Sequence, residues 1–309
     1  MKEERPRNIA ASVKARLRVV AQREQKPFDE VFLLYLQERL LHRLARSMYQ
    51  DKFLLKGGLL IYGRKGRMAR PTRDIDLLGS GLTNDPEALV QVFRELCGME
   101  AEDGVRFDVK SVASEGIAED ADYEGVRIKF LGFLERSHQR LQIDIGFGDV
   151  VTPSSIEIDF PTLLDMEPPH LRAYSWESVI AEKFEAMVKL ADLNSRMKDF
   201  YDVYVLATTQ PFDGMVLQQA INRTFQRRQT PQRPDPAALL PTFGQADAKQ
   251  KQWAAFLRRT KIEGVPQSLS EVLAVVQPFL SPIHRASCKG QVFQGTWEHG
   301  PPSWLTPIS

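Results

Sequence analysis

Between Phe53 and Ser80 the chain reads FLLKGGLLIYGRKGRMARPTRDIDLLGS, and within it Asp74 and Asp76 flank Ile75 in a segment with the composition of a buried strand. Strand side chains alternate between faces, so the two carboxylates share one face while Ile75 and Leu77 take the other. Like charges at that spacing repel unless a cation lies between them or one carboxyl is protonated. A hard divalent ion resolves the conflict, and Mg2+ characteristically takes one or two carboxylates together with substrate phosphates. An Asp-x-Asp alone is equally a solvent-facing acidic pair, so its neighbours decide. Gly57-Gly58 has no Cβ to block close approach, and its backbone amides can meet a phosphate chain. Lys56, Arg64, Lys65, Arg67, Arg70 and Arg73 surround the glycines and carboxylates, and together they fit phosphate binding. A third carboxylate would complete a two-metal site that clamps attacking and leaving oxygens. Asp144, between Ile143 and Ile145 in QIDIG, is the expected donor, with Asp149 beyond the GFG turn as the alternative.

The elements that must position these residues follow from periodicity. Residues 8–24 and 28–48 read as helices, the second with Val31, Leu34, Leu36, Leu40, Leu41 and Leu44 at helical spacing. Glu38, Arg39, Arg43 and Arg46 largely fill the complementary positions. A core segment begins at Lys52, Asp74–Leu78 is strand-like, and a helix follows over 85–97, with Pro86 at an early position. Alternation marks strands at 105–112, 124–133 and 140–149. From Ser175, a plausible N-cap, the pattern turns helical, with a break at Asn194-Ser195. Residues 229–248 read as a linker or long loop, and 281–309, with four prolines, as irregular.

Composition is that of an ordinary globular chain, 43% apolar and 26% charged over 309 residues. Cys97 and Cys288 lie far apart without CxxC spacing, against a disulfide framework or a structural zinc site. The five histidines (His42, His138, His170, His284 and His299) are scattered and read as structural or surface residues. The start of the chain lacks the apolar core of a secretory signal, and no run approaches the ~18 apolar residues of a membrane span. A cytoplasmic location with no membrane partner is expected. Charge is unevenly spread: residues 1–73 carry 18 Lys/Arg against 7 Asp/Glu, and residues 74–170 carry 7 against 21. A basic first quarter beside an acidic middle suits a protein that holds a polyanion near a metal-binding carboxylate cluster. Arg39, Arg43 and Arg46 form one helical stripe that either follows an RNA backbone or docks on the acidic middle of the same chain.

The combination of KGG…RPTRDIDLL, IDIGFGD and AEKFEAMV…SRMKDFYDVYVL resembles the AbiEii nucleotidyltransferase toxin family, of the polymerase-β-like nucleotidyltransferase superfamily. RLLHRLARS and LQQAINRTFQRRQT extend the resemblance over residues 8–280. Fifteen residues separate Gly58 from Asp74, towards the long end for the superfamily. The resemblance implies an α+β fold with a polymerase-β-like nucleotidyltransferase core (51–165), N-terminal helices (1–50), a helical C-terminal half (166–280) and a tail at 281–309. It implies Mg2+, or Mn2+, and transfer of a nucleoside monophosphate from an NTP with loss of pyrophosphate. The acceptor would be RNA, with the 3′ end of tRNA foremost, and translation would be blocked in a type IV toxin–antitoxin or abortive-infection system with a cognate antitoxin encoded nearby.

On the same basis, Asp74, Asp76, Lys183 and Asp199 are expected to be catalytic, and Asp74, Asp76 and Asp144 to hold metal. Lys56, Gly57, Gly58, Arg70, Thr72, Arg73 and Lys183 are expected to meet the nucleotide. Lys183 would neutralise charge on the transferring phosphoryl group, with Asp199 orienting it or polarising the incoming hydroxyl. Arg196 and Asp202 lie three residues to either side of Asp199, on the same helical face. Two other classes remain: a nucleic-acid-binding regulator with no need of Lys183 and Asp199, and a metal-dependent nuclease. The Gly-Gly element and the lysine-bearing helix argue against the nuclease, which has no triphosphate to cradle.

Overall fold

A computed structural model describes residues 8–118, 124–300 and 302–305. The two helices expected at the start form as α1 (Ile9–Arg23) and α2 (Phe28–Ala45), α1 being capped by Asn8, whose side chain accepts a hydrogen bond from Ala11 N. There follow β1 (Phe53–Lys56), α3 (Gly57–Lys65), β2 (Asp74–Gly79) and α4 (Pro86–Gly98), the last capped by the Asp85 carboxylate. Next come β3 (Val105–Phe107), β4 (Ala113–Ala118), β5 (Glu124–Leu134), β6 (Ser137–Phe147), β7 (Ile156–Asp159) and β8 (His170–Ala173). These strands make one mixed eight-stranded sheet in the order β3-β5-β6-β2-β1-β8-β7, with β4 also paired to β5. Strand β2 is central, antiparallel to β1 and parallel to β6.

The remaining elements are α5 (Trp176–Leu190), α6 (Met197–Thr209), β9 (Phe212–Asp213), α7 (Gly214–Arg227), α8 (Pro241–Gln245), α9 (Asp247–Thr260), α10 (Leu269–Cys288), β10 (Thr296–His299) and β11 (Pro302–Leu305). The chain divides into two compact units. The first comprises Met1–Arg64, Thr72–Gly148 and Ile156–Ala173, and holds the eight-stranded sheet. The second comprises Lys65–Pro71, Asp149–Ser155 and Tyr174–Ser309. No helix among the described residues is long and apolar enough to cross a membrane.

Three segments differ from the sequence reading, each for a local reason. The strand expected at 105–112 stops at Phe107, because Asp108 accepts from Lys110 N and turns the chain into a short helical turn. Within 229–248, expected as linker, helical turns form at 237–239 and 241–245. The tail beyond 281 is ordered where described. Helix α10 runs past Pro278 and Pro282 to Cys288, because Phe279, Leu280, Ile283 and His284 are all buried along it. Its burial outweighs the backbone hydrogen bonds that the prolines forfeit. The β10–β11 hairpin then closes on this helix, Trp304 stacking on Phe279 while Trp297 Nε1 donates to Ala207 O at 2.7 Å.

The arginine stripe of α2 is resolved in favour of intrachain docking. Arg39 and Arg43 are each only 2% exposed. Arg43 grips the Asp103 carboxylate with Nη1 at 2.7 Å and Nη2 at 3.3 Å, and donates as well to the carbonyls of Arg39, Met99 and Val105. Its guanidinium also lies over the Phe107 ring. Arg39 pairs with Glu38 at 2.6 Å, and exposed Arg46 with Glu167 at 2.8 Å. Asp103 and Glu167 both belong to the acidic middle of the chain. Burial pushes the Glu38 carboxyl up to about 7, against the pull of Arg39 and of the Leu163 N–H that it accepts. Arg43→Met is expected to lower the unfolding free energy by about 3–5 kcal/mol, since Asp103 would stay buried without its counter-charge. Urea denaturation measures this, and Arg43→Met with Asp103→Leu should recover most of the loss.

Candidate active site

The site is built on β2, where Ile75 and Leu77 are buried and Asp74 and Asp76 are half-buried, as strand alternation requires. Asp76 stands opposite Lys56 on β1 and beside Asp144 on β6, and Asp74 stands beside Gln142. After Lys56 the chain turns through Gly57 at φ +66° and enters α3 directly. A Cβ at Gly57 would lie 2.0 Å from Asp76 Oδ2 and 2.6 Å from its Cγ. Only glycine permits both the backbone angle and the contact. The Asp76 carboxylate therefore lies against the start of a helix, where unshared N–H groups and the dipole favour negative charge. Thr72 Oγ1 donates to Asp74 O at 3.4 Å, a weak tether at the entry to the strand. Lys56 is half-buried and Arg73 exposed.

Asp144 lies beside Asp76 in the sheet, and an arginine on the neighbouring strand forks onto its carboxylate. Arg127 Nε lies 2.7 Å from Oδ1 and Nη2 2.8 Å from Oδ2, and Gln142 Nε2 approaches both oxygens at 3.3 Å. Arg127 and Asp144 are directly opposed across β5 and β6, a geometry suited to the bidentate fork. The alternative, Asp149, is likewise engaged, accepting from Arg228 Nε and Nη2 at 3.2 and 3.1 Å. Among the described residues no group of three or more His, Cys, Asp or Glu is placed to hold a metal ion. Asp144 is thus paired with Arg127, and Asp74 and Asp76 stand side by side on β2. Two oxygen donors of this kind still fit a hard cation that completes its shell with water and phosphate oxygens.

Lys183, Asp199 and Asp202 belong to the second unit. Ser175 caps α5, accepting from Ser178 N at 3.3 Å, as expected. The break at 194–195 connects α5 to α6, and Lys249 Nζ donates to the carbonyls of Asp192 and Asn194 there, each at 2.7 Å. Lys183 Nζ lies 3.1 Å from Asp199 Oδ1 and 2.6 Å from Asp202 Oδ2. Arg70 forks onto Asp202 with Nε and Nη2 at 3.1 Å, and Arg196 Nε lies 2.8 Å from Asp199 Oδ2. Burial alone would lower the Lys183 pKa, but Asp202 and Asp199 outweigh it and hold it above the usual lysine value. Burial would likewise raise Asp199, yet Lys183 and Arg196 keep it below the usual carboxylate value. Lys183 and Asp199 therefore hold each other in their charged forms.

The profile of the AbiEii family, nucleotidyl transferase toxins of type IV toxin–antitoxin systems, matches residues 39–275. The chain belongs to this family. It is therefore a nucleotidyltransferase, and AbiEii membership implies an NTP substrate and a cognate antitoxin. Among solved structures, it is similar to the nucleotidyltransferase toxin MenT4 of Mycobacterium tuberculosis H37Rv, with a TM-score of 0.60 and 17% identity, over 86% of this chain and 89% of that one. That likeness shows the shared fold. JHP933 of Helicobacter pylori is similar at a TM-score of 0.48 and 16% identity, over 85% of this chain and 94% of that one. No curated protein sequence matches this AbiEii chain.

Two features of the Lys183 cluster escape a reading of the sequence. Arg70, expected on the nucleotide, also forks onto Asp202, 132 residues away. Asp202, left open between a cap and an ion pair, is the second anchor of Lys183; its three-residue spacing from Asp199 was the available signal. Lys183→Met should cost about 3 kcal/mol in urea denaturation, by stranding buried carboxylates. Adding Asp202→Asn should recover part of that loss. Gly57→Ala should destabilise through the left-handed backbone by roughly 1–2 kcal/mol and through the Asp76 contact besides. Gly66→Ala, also at positive φ but with nothing near its Cβ direction, carries only the backbone cost. The difference between the two melting curves isolates the contact.

Proposed function

We propose that the chain transfers a nucleoside monophosphate from an NTP to the 3′ end of tRNA, using Mg2+ or Mn2+ and releasing pyrophosphate, and so blocks translation until its antitoxin binds. The observation that carries this reading is the Asp74–Asp76 pair lying against the Gly57 turn, a carboxylate couple beside backbone that glycine leaves open to close approach. In the proposal Asp74 and Asp76 hold the metal ion, which when bound supplies charge neutralisation at the phosphate oxygens and a more acidic acceptor hydroxyl. Asp144, with its charge already met by Arg127, shapes the floor beside Asp76. Lys56, Gly57, Gly58, Thr72 and Arg73 line the approach of the phosphates. An ammonium has three N–H groups, and two of those on Lys183 point to Asp199 and Asp202. The proposal gives the third to a phosphate oxygen, with Asp199 as the residue that orients the lysine.

The test is to incubate the purified chain with each α-32P-labelled NTP, total RNA and Mg2+ or Mn2+. Label on RNA of tRNA size is expected, abolished by EDTA and reduced at least about 10²–10³-fold by Asp74→Asn. Shortened RNA would point to a nuclease, and RNA bound but unchanged to a regulator. Label on a protein would overturn the RNA acceptor and leave the transferase. An Asp74→Asn protein with full activity would remove the pair from the site.

A further inference from the structure

Gln37 sits in the middle of α2 and is 1% exposed. Tyr35, Leu36, Leu40 and Leu41 around it are equally buried, so an apolar side chain would satisfy the packing. Its Nε2 donates to Arg73 O at 2.9 Å. A carbonyl can only accept, so this contact fixes which end of the amide is nitrogen, and the opposite end, Oε1, is buried with no hydrogen-bond partner. A half-satisfied buried amide is less favourable than leucine or methionine at the same place. The residue thus costs stability where packing does not require it, and its one hydrogen bond lands on the peptide that leads into Asp74.

On the β1 side the ladder ends before it reaches that peptide. The ladder between β1 and β2 runs from Phe53 opposite Gly79 to Lys56 opposite Asp76, and stops there. Asp74 consequently has a strand neighbour on β6 alone, at Gln142. The Arg73 carbonyl and the Asp74 nitrogen share one peptide plane. Fixing the carbonyl fixes that plane and with it the direction in which the Asp74 side chain leaves the strand. We infer that Gln37 is a positioning residue for the carboxylate pair, standing in for the missing β1 ladder and holding Asp74 parallel to Asp76. The inference rests on the assignment of Asp74 and Asp76 to a metal ion. Because Gln37 acts through one peptide, it behaves as an outer partner of a metal ligand, a class whose removal costs about 10–100-fold in metal affinity.

The experiment measures Mn2+ binding by the electron paramagnetic resonance signal of the free ion, for wild type, Gln37→Met, Gln37→Leu and Asp74→Asn, alongside thermal melting of each. Wild type should bind Mn2+ and Asp74→Asn should not. Both Gln37 variants should bind about tenfold more weakly while melting no lower than wild type. In NTP transfer the same variants should need a correspondingly higher metal concentration for half-maximal rate, and excess metal should restore the rate. Wild-type affinity in both Gln37 variants overturns the positioning role and leaves the metal assignment intact. A fall in melting temperature that parallels the loss of affinity also overturns it, by making Gln37 structural. Failure of wild type to bind Mn2+ in an Asp74-dependent way overturns the underlying assignment, and this inference with it.

Discussion

Asp74 and Asp76 leave the same face of β2, with Asp76 laddered on both sides and Asp74 on the β6 side, so the sheet holds them near each other. Everything near them tempers that repulsion. A helix begins against Asp76 with its electropositive end, Lys56 stands opposite across the ladder, and the neighbouring carboxylate Asp144 comes with its own arginine. Without the Arg127 fork, three acidic side chains would share one patch of sheet. With it, Asp144 contributes shape and little net charge.

The same solution recurs at several other buried charges among the described residues. Arg43 meets Asp103 beneath α2, Lys183 meets Asp199 and Asp202, and Arg228 meets Asp149, Glu182 and Glu185. Such pairs add little net stability over apolar packing, but mispairing any of them strands a charge in low dielectric. Their partners lie 16 to 79 residues apart along the chain, so each fixes which distant segments must meet.

Much of the first unit was legible in the sequence because its elements are periodic and local. The helices before residue 46, the Asp-x-Asp strand and the Ser175 cap follow from spacing alone. What failed was long-range. Helical spacing alone sent Arg39 and Arg43 outward, because nothing near them reveals that Asp103 waits some 60 residues on, in the case of Arg43. Alternation placed Asp144 beside Asp76 correctly, yet could not show that Arg127, one strand away, would claim it. Pro282, with the later prolines, argued for irregular chain beyond 281, and tertiary burial of Ile283 and His284 overrode it. The sequence carries strong signals for backbone direction and weak ones for which charge meets which.

The interleaving of the two units bears on how the protein is made. Residues 65–71 lie between α3 and β2 in the chain, yet are counted with the helical unit, where Tyr201 OH donates to Met68 O and Asp202 receives Arg70. On a ribosome adding about 5–20 residues per second, Arg70 emerges well before Asp202 exists. The sheet can close once Ala173 has been synthesised, but the loop leading to its aspartate strand must wait for α6 before Arg70 finds its counter-charge. Lys183 waits in the same way for Asp199 and Asp202. Arg70 and Lys183 therefore acquire their shared counter-charge only after translation has entered α6 and made Asp202.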